Sequence, residues 1–161
     1  MGEDEARGDA LLGVVVVSPP RGTPEPAAVR RDRQQAVRDL LDTGSFRPHG
    51  LDGPFLLRLG FRRHRIAFEV RDRHGAMLRE FAVPLGPLRP AIGDYRMIVE
   101  AHLGAIEAGG MARIQAIDQA RRSVHDEAAA ILARAIGAEA AIDHETARRL
   151  FTLIYTVEMD G

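Results

Sequence analysis

Asp118, Arg121, Arg122 and His125 lie within one eight-residue stretch, Asp-Gln-Ala-Arg-Arg-Ser-Val-His. Their types suit two kinds of chemistry. A guanidinium is a permanent, planar fork of donors for carboxylate or phosphate, and an imidazole is the side chain that most easily moves a proton near neutral pH. Asp118 and Arg122 are four residues apart, as are Arg121 and His125, so on a helix each pair are neighbours. Around them Ile114, Ile117, Val124, Ala128, Ile131, Leu132 and Ala135 recur at helical spacing and set an apolar arc. Asp118, Arg121 and His125 fall inside or at the edge of that arc, whereas Arg122, Asp126 and Glu127 project elsewhere. A charge on a buried stripe costs several kcal/mol unless it is paired. Two readings are open: an Asp118–Arg121 ion pair tying helices together beside a hydrogen-bonded core histidine, or a cleft that binds an anion through Arg121 with His125 as proton donor or acceptor.

Other segments could complete such a site. Asp94 can accept from an arginine, and Tyr95 offers a hydroxyl although it sits on an apolar stripe, where core packing is the ordinary role. His102 shares that stripe and reads as a satisfied core histidine. Arg148 flanks the apolar face of a last helix, while Arg149 points away toward solvent. Zinc is not expected, because Asp118 and His125 are seven apart and neither His-x-x-x-His nor Glu-x-x-His occurs. Gly-x-x-x-x-Gly-Lys, Gly-x-Gly-x-x-Gly and Gly-x-Ser-x-Gly are absent, so no metal or cofactor is expected. The candidate anion or ligand site is therefore Asp118, Arg121, Arg122, His125, Asp94, Tyr95 and Arg148.

A second basic cluster, Arg58, Arg62, Arg63, His64, Arg65, Arg71 and Arg73, lies in a segment of alternating polarity. Arg58, Arg65 and Arg71 share the outward face with Glu69, which predicts cross-strand ion pairing. An RNA-binding sheet would interleave exposed aromatics, and Phe61 alone makes no platform. The net charge of −1 is unlike that of a dedicated nucleic-acid binder. All 22 basic residues are arginine, which together with the absence of asparagine reads as the mark of a GC-rich genome rather than of anion binding.

The elements that would position these residues follow from periodicity. Leu11–Val17 is a continuous, largely β-branched run that predicts a strand buried throughout. Ser18–Pro26, with four prolines and a glycine, must be a loop. Helical spacing runs from about Ala27 to Leu41 and stops by Gly44 and Pro48. Phe55, Leu57 and Leu59, then Ile66, Phe68 and Val70, then Phe81, Val83 and Leu85 alternate as an antiparallel meander, with turns at Gly60–His64 and Asp72–Gly75. Pro90 suits the first turn of a helix carrying Ile92, Tyr95, Ile98, Val99, His102, Leu103 and Ile106. Gly109-Gly110 separates it from a long helix, Met111–Ile136, closed by Gly137, and Asp143 is a natural N-cap for a last helix. The expected fold is α+β: a four-stranded, largely antiparallel sheet in the order β-α-β-β-β-α-α-α, with helices packed on one face.

At 161 residues the chain can bury a sizeable single core, expected over residues 10–161 behind a disordered acidic tail at 1–9. With no cysteine, disulfides and thiol chemistry are excluded. The start lacks a basic n-region, and the apolar run Ala10–Val17 is too short to span a bilayer, so a cytoplasmic protein without membrane association is expected.

Four stretches together resemble a known family: Ala36-Val37-Arg38-Asp39-Leu40-Leu41, Asp94-Tyr95-Arg96-Met97-Ile98, Ile117 to Glu127, and Thr146-Ala147-Arg148-Arg149-Leu150-Phe151-Thr152-Leu153. They are similar to the uncharacterised bacterial protein family numbered 262 among those of unknown function, with Asp-x-x-Arg-Arg-x-x-His the most specific part. The resemblance implies a small cytoplasmic bacterial protein and assigns no activity. The leading reading is a non-catalytic binding or regulatory module, as a homo-oligomer or with a protein partner, taking a small anionic ligand at the Asp118/Arg121/His125 face. The alternative is a small enzyme acting on a phosphate- or carboxylate-bearing substrate through the same cluster. Third comes weak nucleic-acid binding by the arginine-rich meander, with no specific complex expected.

Overall fold

The computed structural model describes residues 7–18 and 25–158. Six strands and four helices follow in the order β1 (Leu11–Val17), α1 (Ala27–Thr43), β2 (Phe46–Pro48), β3 (Phe55–Phe61), β4 (Arg65–Arg71), β5 (Met77–Pro84), α2 (Arg89–Ala108), α3 (Met111–Ile136), β6 (Ala140–Ile142) and α4 (His144–Glu158). The main sheet is ordered β1-β3-β4-β5; β1 runs parallel to β3 and the other pairs are antiparallel. This is the expected α+β architecture.

Side-chain alternation decides which face is covered. Leu59, Phe68 and Phe81 stand opposite one another in register, as do Phe61, Ile66 and Val83, and all six are buried. Phe68 and Phe81 stack with ring centroids 5.0 Å apart. The row adjacent to Leu59, formed by Val15, Arg58, Glu69 and Glu80, faces solvent, and Arg58 and Glu69 form the cross-strand ion pair expected of them, at 3.4 Å. The helices therefore pack on one face only. There α1 lies against β1, α3 reaches β5, and α4 lies between α1 and α3 with nine buried residues.

The first strand departs from expectation. Leu12, Val15 and Val17 are exposed, Val15 to 56%. A β-branched run satisfies strand propensity whether or not both faces are covered. As an edge strand on an uncovered outer face, β1 buries only the side that meets α1. Arg121 and Asp118 also differ from the buried stripe foreseen for them, with side chains 46% and 31% exposed. α2 and α3 pack on one another as a hairpin that leaves these side chains partly open to solvent. In that hairpin Ala105 is buried, whereas Leu103, Ile106 and Met111 are exposed.

Two three-residue strands were not foreseen. Phe46 pairs with Ile142 and Pro48 with Ala140, an antiparallel ribbon that ties the exit of α1 to the junction of α3 and α4. Asp143 caps α4 by accepting from the Thr146 amide at 2.8 Å, and the Thr146 hydroxyl accepts from the Ser45 amide at 2.9 Å. The start of α4 is thereby fixed beside the end of α1, which sets the gap between their polar faces. At the other turn, Gly109 ends α2 with φ of 73°, a left-handed conformation that favours glycine.

Of the segment 1–9 read as a tail, residues 1–6 lie outside the described residues, as does most of the Ser18–Pro26 loop. Residues 7–9 are hydrogen-bonded to the body. Asp9 accepts from the Ser45 hydroxyl at 2.7 Å, its carbonyl accepts from the Phe46 amide, and the Gly8 carbonyl accepts from the Gly53 amide.

Candidate functional site

Four helices converge on one polar cleft of about 260 Å³. From α1 come Asp32, Gln35 and Ala36, which share a face by their i,i+3 and i,i+4 spacing; α2 contributes Tyr95. Arg121, Arg122 and His125 come from α3, and Arg148, Arg149 and Thr152 from α4. Ala36 is buried and small, and it leaves room between the helices.

His125 forms the floor, only 7% exposed. Its Nδ1 accepts from Arg148 Nε at 3.2 Å, so the ring proton sits on Nε2, which donates to Thr152 Oγ1 at 3.1 Å. Thr152 in turn donates to the Arg148 carbonyl at 3.2 Å, closing a ring of three residues. The aromatic rings of Tyr95 and Phe151 lie 5.5 and 5.3 Å from the imidazole. Burial, followed by the charges of Arg148, Arg149 and Arg121, drives the His125 pKa down to about 4, with Asp126 opposing. At neutral pH the imidazole is uncharged and both its nitrogens are occupied.

The arginines are braced from behind. Arg121 pairs with Asp118 at 3.7 Å, and Asp118 is itself 3.4 Å from His102 Nε2. Arg148 pairs with Glu145 at 3.3 Å and Asp126 at 3.5 Å, and Arg149 with Asp39 at 3.3 Å. Arg122 forms no ion pair among the described residues. The Tyr95 hydroxyl is held above its usual pKa by burial, with Arg121 beside it opposing. Asp32 belongs to an exposed residue, but the cleft wall removes enough water from its carboxyl to raise its pKa against the pull of Arg121 and Arg31. Together the lining groups present four guanidiniums and one carboxylate around a neutral floor.

Of the residues singled out from sequence, Arg121, Arg122, His125, Tyr95 and Arg148 meet in this cleft. Asp118 stands behind Arg121 rather than in the lining, and Asp94 is exposed and lies outside it. Sequence reasoning missed Asp32, Gln35, Thr152 and the cleft-facing position of Arg149. A cleft shared by α1, α3 and α4 admits residues about a quarter-turn off each helix's core face, which a single-helix arc assigns to solvent. The usable signal was Arg148-Arg149-x-x-Thr152, whose spacing puts all three at one edge of α4. Among the described residues no three His, Asp or Glu side chains group in a way that could hold a metal ion, and no helix is long and apolar enough to cross a membrane.

Residues 13–160 match the model of an uncharacterised protein family, UPF0262. The chain belongs to UPF0262. It is 39% identical over 133 residues to the UPF0262 protein of Rhodospirillum rubrum, an overlap covering 83% of each chain. The Maricaulis maris member is 42% identical over 124 residues, or 76% of this chain and 78% of that one. The Dinoroseobacter shibae member is 40% identical over 141 residues, covering 84% and 87%. No solved structure matches the chain. The resemblance to a bacterial family seen in the sequence thus holds over residues 13–160.

Proposed function

We propose that this UPF0262 protein is a non-catalytic binding module whose cleft captures a small anion with Arg121, Arg122, Arg148 and Arg149. The observation that carries the reading is the convergence of four guanidiniums on a neutral floor. Three of them are aimed by carboxylates on their outer sides, so little side-chain freedom is lost when an anion arrives. Acid–base work by His125 would require Nδ1 to leave Arg148 and a proton to enter among three arginines, which is why binding rather than catalysis is assigned. Hydrogen bonds to charged groups contribute about 1.5–3 kcal/mol each, so two or three of them supply about 3–9 kcal/mol, which spans a Kd from several millimolar to just under 1 μM.

Isothermal titration with inorganic phosphate, pyrophosphate and citrate at constant ionic strength tests this. Saturable one-to-one binding is expected, weakened at least about tenfold by Arg121→Ala combined with Arg122→Ala, with the melting temperature lowered by no more than about 4 °C. Absence of saturable heat with all three anions, or unchanged affinity in the double variant, contradicts it.

A further inference from the structure

Asp32 is out of place in a cleft built only to hold an anion. It is the one carboxylate among the lining residues, on the α1 wall, while the guanidiniums come from α3 and α4. Every other carboxylate named around the cleft has an arginine partner: Asp118 with Arg121, Asp126 and Glu145 with Arg148, and Asp39 with Arg149. Asp32 accepts no hydrogen bond and forms no ion pair among the described residues. Its water is partly removed all the same, and the nearest favourable charges are Arg121 and Arg31. A carboxylate left without a hydrogen-bonded partner in such a place repels a bare anion, and the attraction of Arg121 and Arg31 does not offset its lost hydration. The same group becomes an advantage if the ligand brings a donor of its own, because an unpartnered acceptor discriminates strongly against ligands that leave it unpaired.

Resting on the anion-binding reading, we infer that the cleft selects a small ligand carrying both an anionic group and an ammonium, with the α3–α4 arginines taking the anion and Asp32 taking the ammonium. The Gln35 amide, one turn along α1, donates to Asp39 at 2.9 Å and leaves its carbonyl oxygen as a neutral acceptor on the same wall. The cleft volume of about 260 Å³ is slightly below that of drug-sized sites, which fits a compact zwitterionic metabolite such as an amino phosphate or amino acid.

Two probes that share a phosphate monoester and differ in the ammonium separate the possibilities: phosphoethanolamine and ethyl phosphate, titrated calorimetrically into the wild-type chain and into Asp32→Asn at equal ionic strength. The wild-type chain is expected to bind phosphoethanolamine at least about tenfold more tightly than ethyl phosphate. In Asp32→Asn the ratio should fall to about one, through weaker phosphoethanolamine binding and stronger ethyl phosphate binding. The asparagine is close in shape and sits on an exposed helix residue, so an unchanged melting temperature accompanies the change. Equal affinities in the wild-type chain, or a preference that survives in Asp32→Asn, overturn this inference alone. Failure of both probes overturns the anion cleft, and this inference with it.

Discussion

His125 makes the stability of the fold depend on pH in a calculable way. In an unfolded chain it titrates near 6.5, and in the fold near 4, because its burial and three flanking arginines disfavour the charged ring. The folded state thus refuses a proton that the unfolded chain takes up as pH falls below 6.5. The stabilisation is complete above that value and is lost progressively as pH falls toward 4. Between pH 7 and pH 5 the linkage relation converts this shift into about 2 kcal/mol. For a chain of this size that corresponds to a melting temperature lower by about 4–8 °C. Urea unfolding followed by circular dichroism at pH 7 and pH 5 measures it, with His125→Gln as the reference because glutamine does not titrate. The wild-type chain should lose about 2 kcal/mol more than the variant over this interval. Asp9, Asp72 and Asp126, whose pKa values are lowered, act at more acidic pH, and they are common to both proteins and cancel in the difference. Parallel pH profiles for the two proteins would refute the neutral, enclosed histidine.

Three further outcomes follow from particular contacts. Arg121→Ala should cost at most about 1 kcal/mol in urea, because the Asp118–Arg121 pair is substantially exposed; a loss of about 3 kcal/mol or more would mean the pair is buried in solution. Asp143→Ala should cost about 1 kcal/mol and Asp143→Asn less, since the side chain caps α4 through the Thr146 amide; equal melting temperatures for wild type and the alanine variant would contradict this. Deleting residues 1–9 should lower the melting temperature relative to deleting residues 1–6, by removing hydrogen bonds to Ser45, Phe46 and Gly53. Those bonds contribute about 0.5–1.5 kcal/mol each, and identical melting curves for both truncations would show that they contribute nothing.

Much of the fold was legible because its local signals agree. The α3 boundaries follow from Gly110, Gly137 and an unbroken helical period, and the meander follows from alternation that the covered face enforces at Leu59, Phe68 and Phe81. The exposure of β1 was not legible, because valine reports strand propensity and says nothing about whether a neighbour covers it. The β2–β6 ribbon escaped because three residues are too few to show a period, and its pairing joins segments nearly a hundred positions apart. The cleft divides in the same way. His125 and Tyr95 were visible as polar residues on apolar stripes. Asp32 and Arg149 are ordinary surface residues of their own helices and acquire a role only where α1, α3 and α4 converge.

Site-resolved NMR during a phosphate titration puts the central claim to its most direct test. At pH 6.5 the backbone amides and arginine Nε–H groups of Arg121, Arg122, Arg148 and Arg149 should shift together along one saturating curve. The His125 Nδ1 resonance should stay that of an unprotonated nitrogen throughout, as its pKa of about 4 requires. Shifts confined to Arg58, Arg65 and Arg71 on the outer sheet face, or no saturable shift anywhere, would contradict an anion-binding cleft between the helices.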